Sequence, residues 1–210
     1  MKTLEAMQTR YAARILVWSL TALLAASHPV VAQPVLGIGG SAAGLNRPMM
    51  DAVSGARMDV VSAFGQGGTV VVFWGNQCVW SQRYEERLRQ VIRQARQDGV
   101  AVVLVNANDP EAFPKENAEE SRQVARRVGV DRYFLDTDGS LARSMGAQRI
   151  PHVFLFDTAR QLMYAGGIDD SPGDAALVQK TYLLDALTSL RTGAAPDPSE
   201  TQPFGCRIKL

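Results

Sequence analysis

Residues 69–81 read Thr-Val-Val-Val-Phe-Trp-Gly-Asn-Gln-Cys-Val-Trp-Ser. The first six are β-branched or aromatic and apolar on both faces, the pattern of a central strand covered on two sides. From Val79 to Gln97 the period changes. Leu88, Val91, Ile92 and Ala95 recur at helical spacing against a charged face of Arg83, Glu86, Arg89, Arg93 and Arg96, and Gly99 closes the helix. A buried strand running straight into a long helix puts Cys78 at the helix N-terminus. Unpaired backbone N–H groups and the positive end of the helix dipole meet there, and both favour the thiolate, the nucleophilic form of cysteine. An inert cysteine of the core is the other reading of the same position.

Working outward, Val100-Ala-Val-Val-Leu-Val105 is a second buried strand, followed by a polar loop over 106–114. Residues 116–128 form a helix ending at Gly129, and a short helix over 140–145 precedes Gly146. Residues 152–157 (HVFLFD) and 161–165 (QLMYA) are two strands joined by a tight turn. Residues 174–190 form an amphipathic helix with Leu177, Tyr182, Leu184, Leu187 and Leu190 on its apolar stripe. Upstream, 49–64 form a short hairpin around Gly55, preceded by a Gly-, Pro- and Ala-rich flexible lead-in over 33–48. The expected class is α/β, a central mixed sheet flanked by helices on both faces. One domain spans 49–192, and residues 193–210 form a surface tail that carries Cys206.

The N-terminal 32 residues stand apart. Lys2, Arg10 and Arg14 precede the apolar run 15–26, and Val30-Val31-Ala32 supplies small residues for cleavage after Ala32. That order describes a secretory signal, and the run falls short of the ~20 apolar residues of a membrane span. The mature protein is expected in the periplasm or outside the cell, with an uncleaved membrane anchor as the alternative and no stable insertion once the signal is removed. A disulfide persists in either setting. With 22 basic and 21 acidic residues and no block of like charge, nothing points to nucleic acid as a partner. Two histidines and two cysteines, far apart, do not have metal-ligand spacing. No glycine-rich phosphate or dinucleotide motif calls for a cofactor.

Several segments together resemble a known family. Phe73-Trp-Gly-Asn-Gln-Cys-Val-Trp-Ser81 is similar to the cysteine-bearing entry of thioredoxin-like proteins, with Ser81 where a second cysteine would be. Arg149-Ile150-Pro151-His152-Val153-Phe154 resembles the segment in which a cis proline faces the active-site cysteine. The series Asn106–Pro110, Pro114, Tyr133–Asp138, Ala142–Ala147, Gly167–Asp170 and Phe204–Lys209 is similar to the peroxiredoxin-like redoxin proteins of the alkyl hydroperoxide reductase and thiol-specific antioxidant family. The resemblance runs from about residue 66 to the C-terminus. It implies a thioredoxin-like fold and a thiol oxidoreductase acting on a small hydroperoxide or a protein disulfide, with an external thiol reductant. The sequence departs from the pattern at three positions. Gly75 stands where a peroxidase carries the threonine that positions the peroxide, Val79 replaces the usual proline, and Ser81 removes the local dithiol.

The candidate site follows. Cys78 is the nucleophile. Without a neighbouring thiol it cannot resolve a mixed disulfide locally, which leaves Cys206. Cys206 either resolves a sulfenic acid or mixed disulfide at Cys78, locks Cys78 in a static disulfide, or pairs with another chain. Pro151 and Arg149 approach the thiol, Arg149 as a candidate stabiliser of negative charge or as a solvated side chain. Ile150 lies between them. Trp74 is expected in the core, Trp80 over the site or against a partner, and Asn76 and Gln77 either as donors to a bound oxygen or as solvated loop residues. His152 reads as structural, Asp169 and Asp170 as turn or cap residues, and Asp109 as an organiser of its loop.

Overall fold

The computed structural model describes residues 35–209. The expected signal segment and its cleavage point lie outside them. Nine strands and four α-helices follow one another as β1 (Pro48–Asp51), β2 (Arg57–Asp59), β3 (Thr69–Phe73), α1 (Val79–Gln97), β4 (Ala101–Asn106), α2 (Ala118–Val128), β5 (Tyr133–Leu135), α3 (Ser140–Met145), β6 (Arg149–Ile150), β7 (His152–Phe156), β8 (Leu162–Gly166), α4 (Tyr182–Thr192) and β9 (Cys206–Arg207) among the described residues.

Seven strands make one sheet in the order β2-β1-β5-β4-β3-β7-β8. The central β3 runs parallel to β4 and antiparallel to β7, with Phe73 opposite both Val105 and His152. All five β3 residues are buried, as a strand with neighbours on both edges and helices on both faces requires. Alternation then sorts them. Val70 and Val72 pack with Leu88, Val91 and Ile92 of α1, Val124 of α2 and Leu187 of α4. Val71 and Phe73 pack on the other face with Leu141 and Met145 of α3 and with Cys78. The mixed α/β sheet between two helical layers is the expected architecture.

Local chemistry sets the helix ends. The Asn117 side chain accepts from the Glu120 N–H at 3.0 Å to cap α2, and Gly129 ends it in the left-handed conformation. The hairpin around Gly55 forms, with Met49 opposite Met58.

Four expectations need correction. The helix expected over 174–190 begins only at Tyr182. Asp170 accepts from the Gln179 N–H and its own N–H donates to the Lys180 carbonyl, so 170–180 close into a loop. Leu177 is therefore 67% exposed and absent from the stripe. The lead-in is not free of the fold from Val35 onward. The Gly39 N–H donates to the Leu162 carbonyl, the Leu162 N–H to the Gly40 carbonyl, and Ala42 and Leu45 are buried. Tyr133–Leu135, read only as part of a family signature, is a strand between β4 and β1. The C-terminal segment is not a surface tail. It returns along β8, where the Thr201 N–H donates to the Ala165 carbonyl, and then pairs β9 with β6.

Candidate active site

Strand β3 carries the chain to the rim of the sheet, and the four residues that follow turn it into α1. Cys78 is the N-cap of that helix, and its carbonyl accepts the first helical bond, from the Gln82 N–H at 3.1 Å. Its side chain caps nothing. It is joined to Cys206 in a disulfide with a Cα–Cα separation of 6.2 Å, well within bridging range. Both cysteines are thereby bonded, and Cys78 is only 5% exposed.

The arm that delivers Cys206 lies across the end of the sheet beside Pro151, whose peptide bond with Ile150 is cis. Ile150 pairs with Cys206 and Arg149 with Arg207. The Ile150 carbonyl oxygen stands 3.5 Å from the Cys78 sulfur. Gly205 passes this carbonyl at φ 154°, and a Cβ there would overlap the Ile150 oxygen, so the close approach calls for glycine. Arg149 is turned to the arm, its guanidinium donating to the Gly205 carbonyl at 2.9 Å. Its role is to hold the peptide next to Cys206.

Three further contacts fasten the arm. The Asp109 N–H donates to the Lys209 carbonyl at 2.7 Å, the Lys209 N–H to Asn108 Oδ1 at 2.9 Å, and the Ile208 N–H to the Gln148 carbonyl at 3.0 Å. Phe204 meets Trp80 edge-on with ring centroids 4.7 Å apart, and the Arg83 guanidinium lies 5.0 Å from the same indole. Trp80 thus covers the site by clamping the arm. Trp74 is in the core.

The loop before Cys78 is held by Glu116, a residue not singled out in the sequence. The buried Glu116 carboxylate accepts from the Asn76 N–H at 2.8 Å, the Gln77 N–H at 3.1 Å and Asn106 Nδ2 at 2.8 Å. Asn106 Oδ1 in turn accepts from the Asn108 side chain, which holds Lys209. One polar chain therefore joins the front of α1 to the arm. Asn76 is not available as a donor to a bound oxygen. Its amide N–H groups go to the Lys115 carbonyl and Ser121, and its oxygen accepts from Tyr133. Burial, with the Glu116 carboxylate nearby, pushes the Tyr133 phenol well above the usual tyrosine range, so it remains a donor. Gln77 is exposed.

Gly75 and Ser81 explain each other. The Gly75 N–H donates to the buried Ser81 hydroxyl at 3.4 Å. A Cβ on Gly75 would lie 2.5 Å from Ile150 Cδ1 and 2.9 Å from the Asn108 amide nitrogen. The space a threonine would need is filled by the segment before Pro151 and by the polar chain. His152 is buried beside Phe154, ring centroids 4.3 Å apart, and burial lowers its pKa to about 4. Asp169 anchors its loop to α1, accepting from the Tyr84 hydroxyl at 3.0 Å and pairing with Arg87 at 2.7 Å. Asp109 accepts from the Glu111 N–H, organising its own loop.

No curated protein matches the chain. A structure of a hypothetical protein from Sinorhizobium meliloti 1021 is similar at 29% identity, covering 84% of this chain and 96% of that one with a TM-score of 0.74. An uncharacterized conserved protein from Geobacillus kaustophilus is 23% identical over 85% of this chain and 93% of its own, TM-score 0.73. A thioredoxin-like protein from Aeropyrum pernix shares the fold at 16% identity, with 70% of this chain and 89% of that one covered and a TM-score of 0.51. The AhpC/TSA family model matches residues 49–165. That span runs from the hairpin through the Cys78 helix and the proline segment to the edge strand β8 on which the arm rests, and over it the chain belongs to the AhpC/TSA family, a peroxiredoxin-like redoxin of thioredoxin-like fold.

Proposed function

We propose that the protein is an exported thiol–disulfide oxidoreductase in which Cys78 attacks and Cys206 resolves. The observation that carries this reading is the bond between Cys78, at the head of α1, and Cys206, 128 residues later on the arm. In the reduced protein the Cys78 thiolate attacks one sulfur of a substrate disulfide and expels the other as a thiolate. The Cys206 thiolate then attacks the Cys78 sulfur, forming the intramolecular disulfide and releasing the second half of the substrate. The substrate gains two electrons and two protons, and the protein dithiol is oxidised. An external thiol reductant restores it.

A small hydroperoxide reaches the same end state. Cys78 takes the terminal oxygen as a sulfenic acid, an alcohol or water leaves, and Cys206 condenses with loss of water. Disulfide exchange has the better support. Gly75 offers no hydroxyl to a peroxide, Asn76 is committed to the Lys115–Tyr133 cluster, and Arg149 alternates with Ile150 and so rises from the ladder face opposite Cys206. Export rests on the order of charged, apolar and small residues in the first 32 positions. Among the described residues no helix is long and apolar enough to cross a membrane.

A second reading is favoured by the burial of Cys78 and the bonds that fasten the arm, which suit a permanent tether. One experiment separates the two. Incubated with a peptide disulfide, the Cys206→Ser protein should accumulate a mixed disulfide at Cys78, seen by mass spectrometry. The wild type should turn over with a dithiol donor and consume less hydroperoxide than disulfide. No adduct, together with a Cys78–Cys206 potential below about −300 mV, would make the bond a static tether.

A further inference from the structure

On the face of the β6–β9 ladder opposite the disulfide, the arm closes a pocket of about 390 Å³ against α3. Its lining includes Arg143, Arg149 and Arg207, with Ala147, Gln148 and Ile208, and has no acidic residue. The geometry points to a binding site for a small polyanion carrying carboxylate or phosphate groups, gripped by these three arginines.

The strand register makes the first argument. Arg149 and Arg207 are directly opposite in an antiparallel pair, so their side chains rise from the same face, while Ile150 and Cys206 turn to the other. Like charges directly opposite are unfavourable unless something sits between them. Among the described residues nothing does so. Neither residue, nor Arg143, is among the ion pairs of the described residues.

Donor counting makes the second. Arg149 donates to the Gly205 carbonyl and Arg143 to the Asp138 carbonyl, each through a single nitrogen. A guanidinium has five N–H groups in a fork that matches carboxylate or phosphate oxygens, so most donors remain free to a ligand. The volume is that of a small-molecule site. The pocket is also composite, with Arg207 and Ile208 supplied by the arm and Arg143 and Arg149 by the domain. A ligand that grips both halves therefore stabilises the docked arm.

Calorimetric titration of the oxidised full-length protein with citrate and with pyrophosphate tests this, at an ionic strength of about 0.01 M where screening is weak. Saturable binding of one anion per chain is expected. Loss of one charged, bidentate donor in Arg143→Gln or Arg207→Gln should weaken it about tenfold. Arg191→Gln, at the end of α4, should leave it unchanged. Binding of citrate alone identifies a carboxylate ligand, and of pyrophosphate alone a phosphate one; either supports the site. Arg143 lies on α3 and off the arm, so its variant remains decisive if Arg207→Gln disturbs arm docking. Absence of saturable binding by either anion, or an Arg143→Gln titration that matches the wild type, would overturn the proposal.

Discussion

His152 shows how one side chain couples this site to solution conditions. It is buried on β7 directly after Pro151, its Nδ1 atom has no hydrogen-bond partner among the described residues, and burial lowers its pKa to about 4. The unfolded chain, titrating near 6.5, binds the proton first as pH falls. Stability attributable to this residue is therefore complete above about pH 6.5 and is lost as pH drops toward 4, a total of roughly 3 kcal/mol. Asp136, raised by burial, changes stability with the opposite sign. The useful measurement is thus a difference between two proteins. Urea midpoints of wild type and His152→Phe should diverge between pH 6.5 and 4 as the wild type weakens, because a phenyl ring fills the same space without a proton. Parallel curves for the two proteins would show that His152 is not the group responsible.

At the scale of elements, α1 and the arm are held in register by a polar chain rather than by apolar packing. Glu116, just ahead of α2, reaches back to the loop that begins α1, and Asn106 and Asn108 carry the connection to Lys209. The carboxylate serves three donors at once. In Glu116→Gln, one amide N–H must face a donor. The expected cost is about 2 kcal/mol of stability, in the range for hydrogen bonds to a charged group. Faster hydrogen exchange at the Asn76 and Gln77 amides is expected before any change at the α1 centre. Uniform exchange across α1 would indicate general loosening instead.

For the whole molecule, the disulfide closes a loop whose ends are 128 residues apart. Chain-entropy reasoning sets an upper bound near 5 kcal/mol for such a loop, and measured disulfides usually deliver about 2–4. Reduction by a dithiol should thus lower the unfolding temperature by roughly 6–12 °C, read by calorimetry with and without reductant. The arm's own bonds to Asp109, Asn108 and Gln148 persist in principle without the disulfide, so the core should stay folded. A collapse of near-ultraviolet dichroism on reduction would contradict this.

What the sequence determined by itself is local and periodic. An apolar run on both faces dictates β3, a 3.6-residue period dictates α1, and their junction puts Cys78 at a helix N-terminus. Tertiary structure decided everything that depended on residues distant in sequence. The path of the arm is one example, since the sequence around Phe204, Gly205 and Cys206 shows no apolar period and these residues are ordered by Trp80, Arg149 and Ile150. The loop at 170–180 is a nearer case, where Asp170 binds the backbone of Gln179 and Lys180, nine and ten residues on, in place of helix bonds. Gly75 is the clearest case. Its identity departs from the family pattern in sequence, but the reason is steric: Ile150 and Asn108 occupy the volume a side chain would need. Periodicity records what a segment does with its neighbours three or four residues away; partners more than thirty residues away leave no such record, and they built this site.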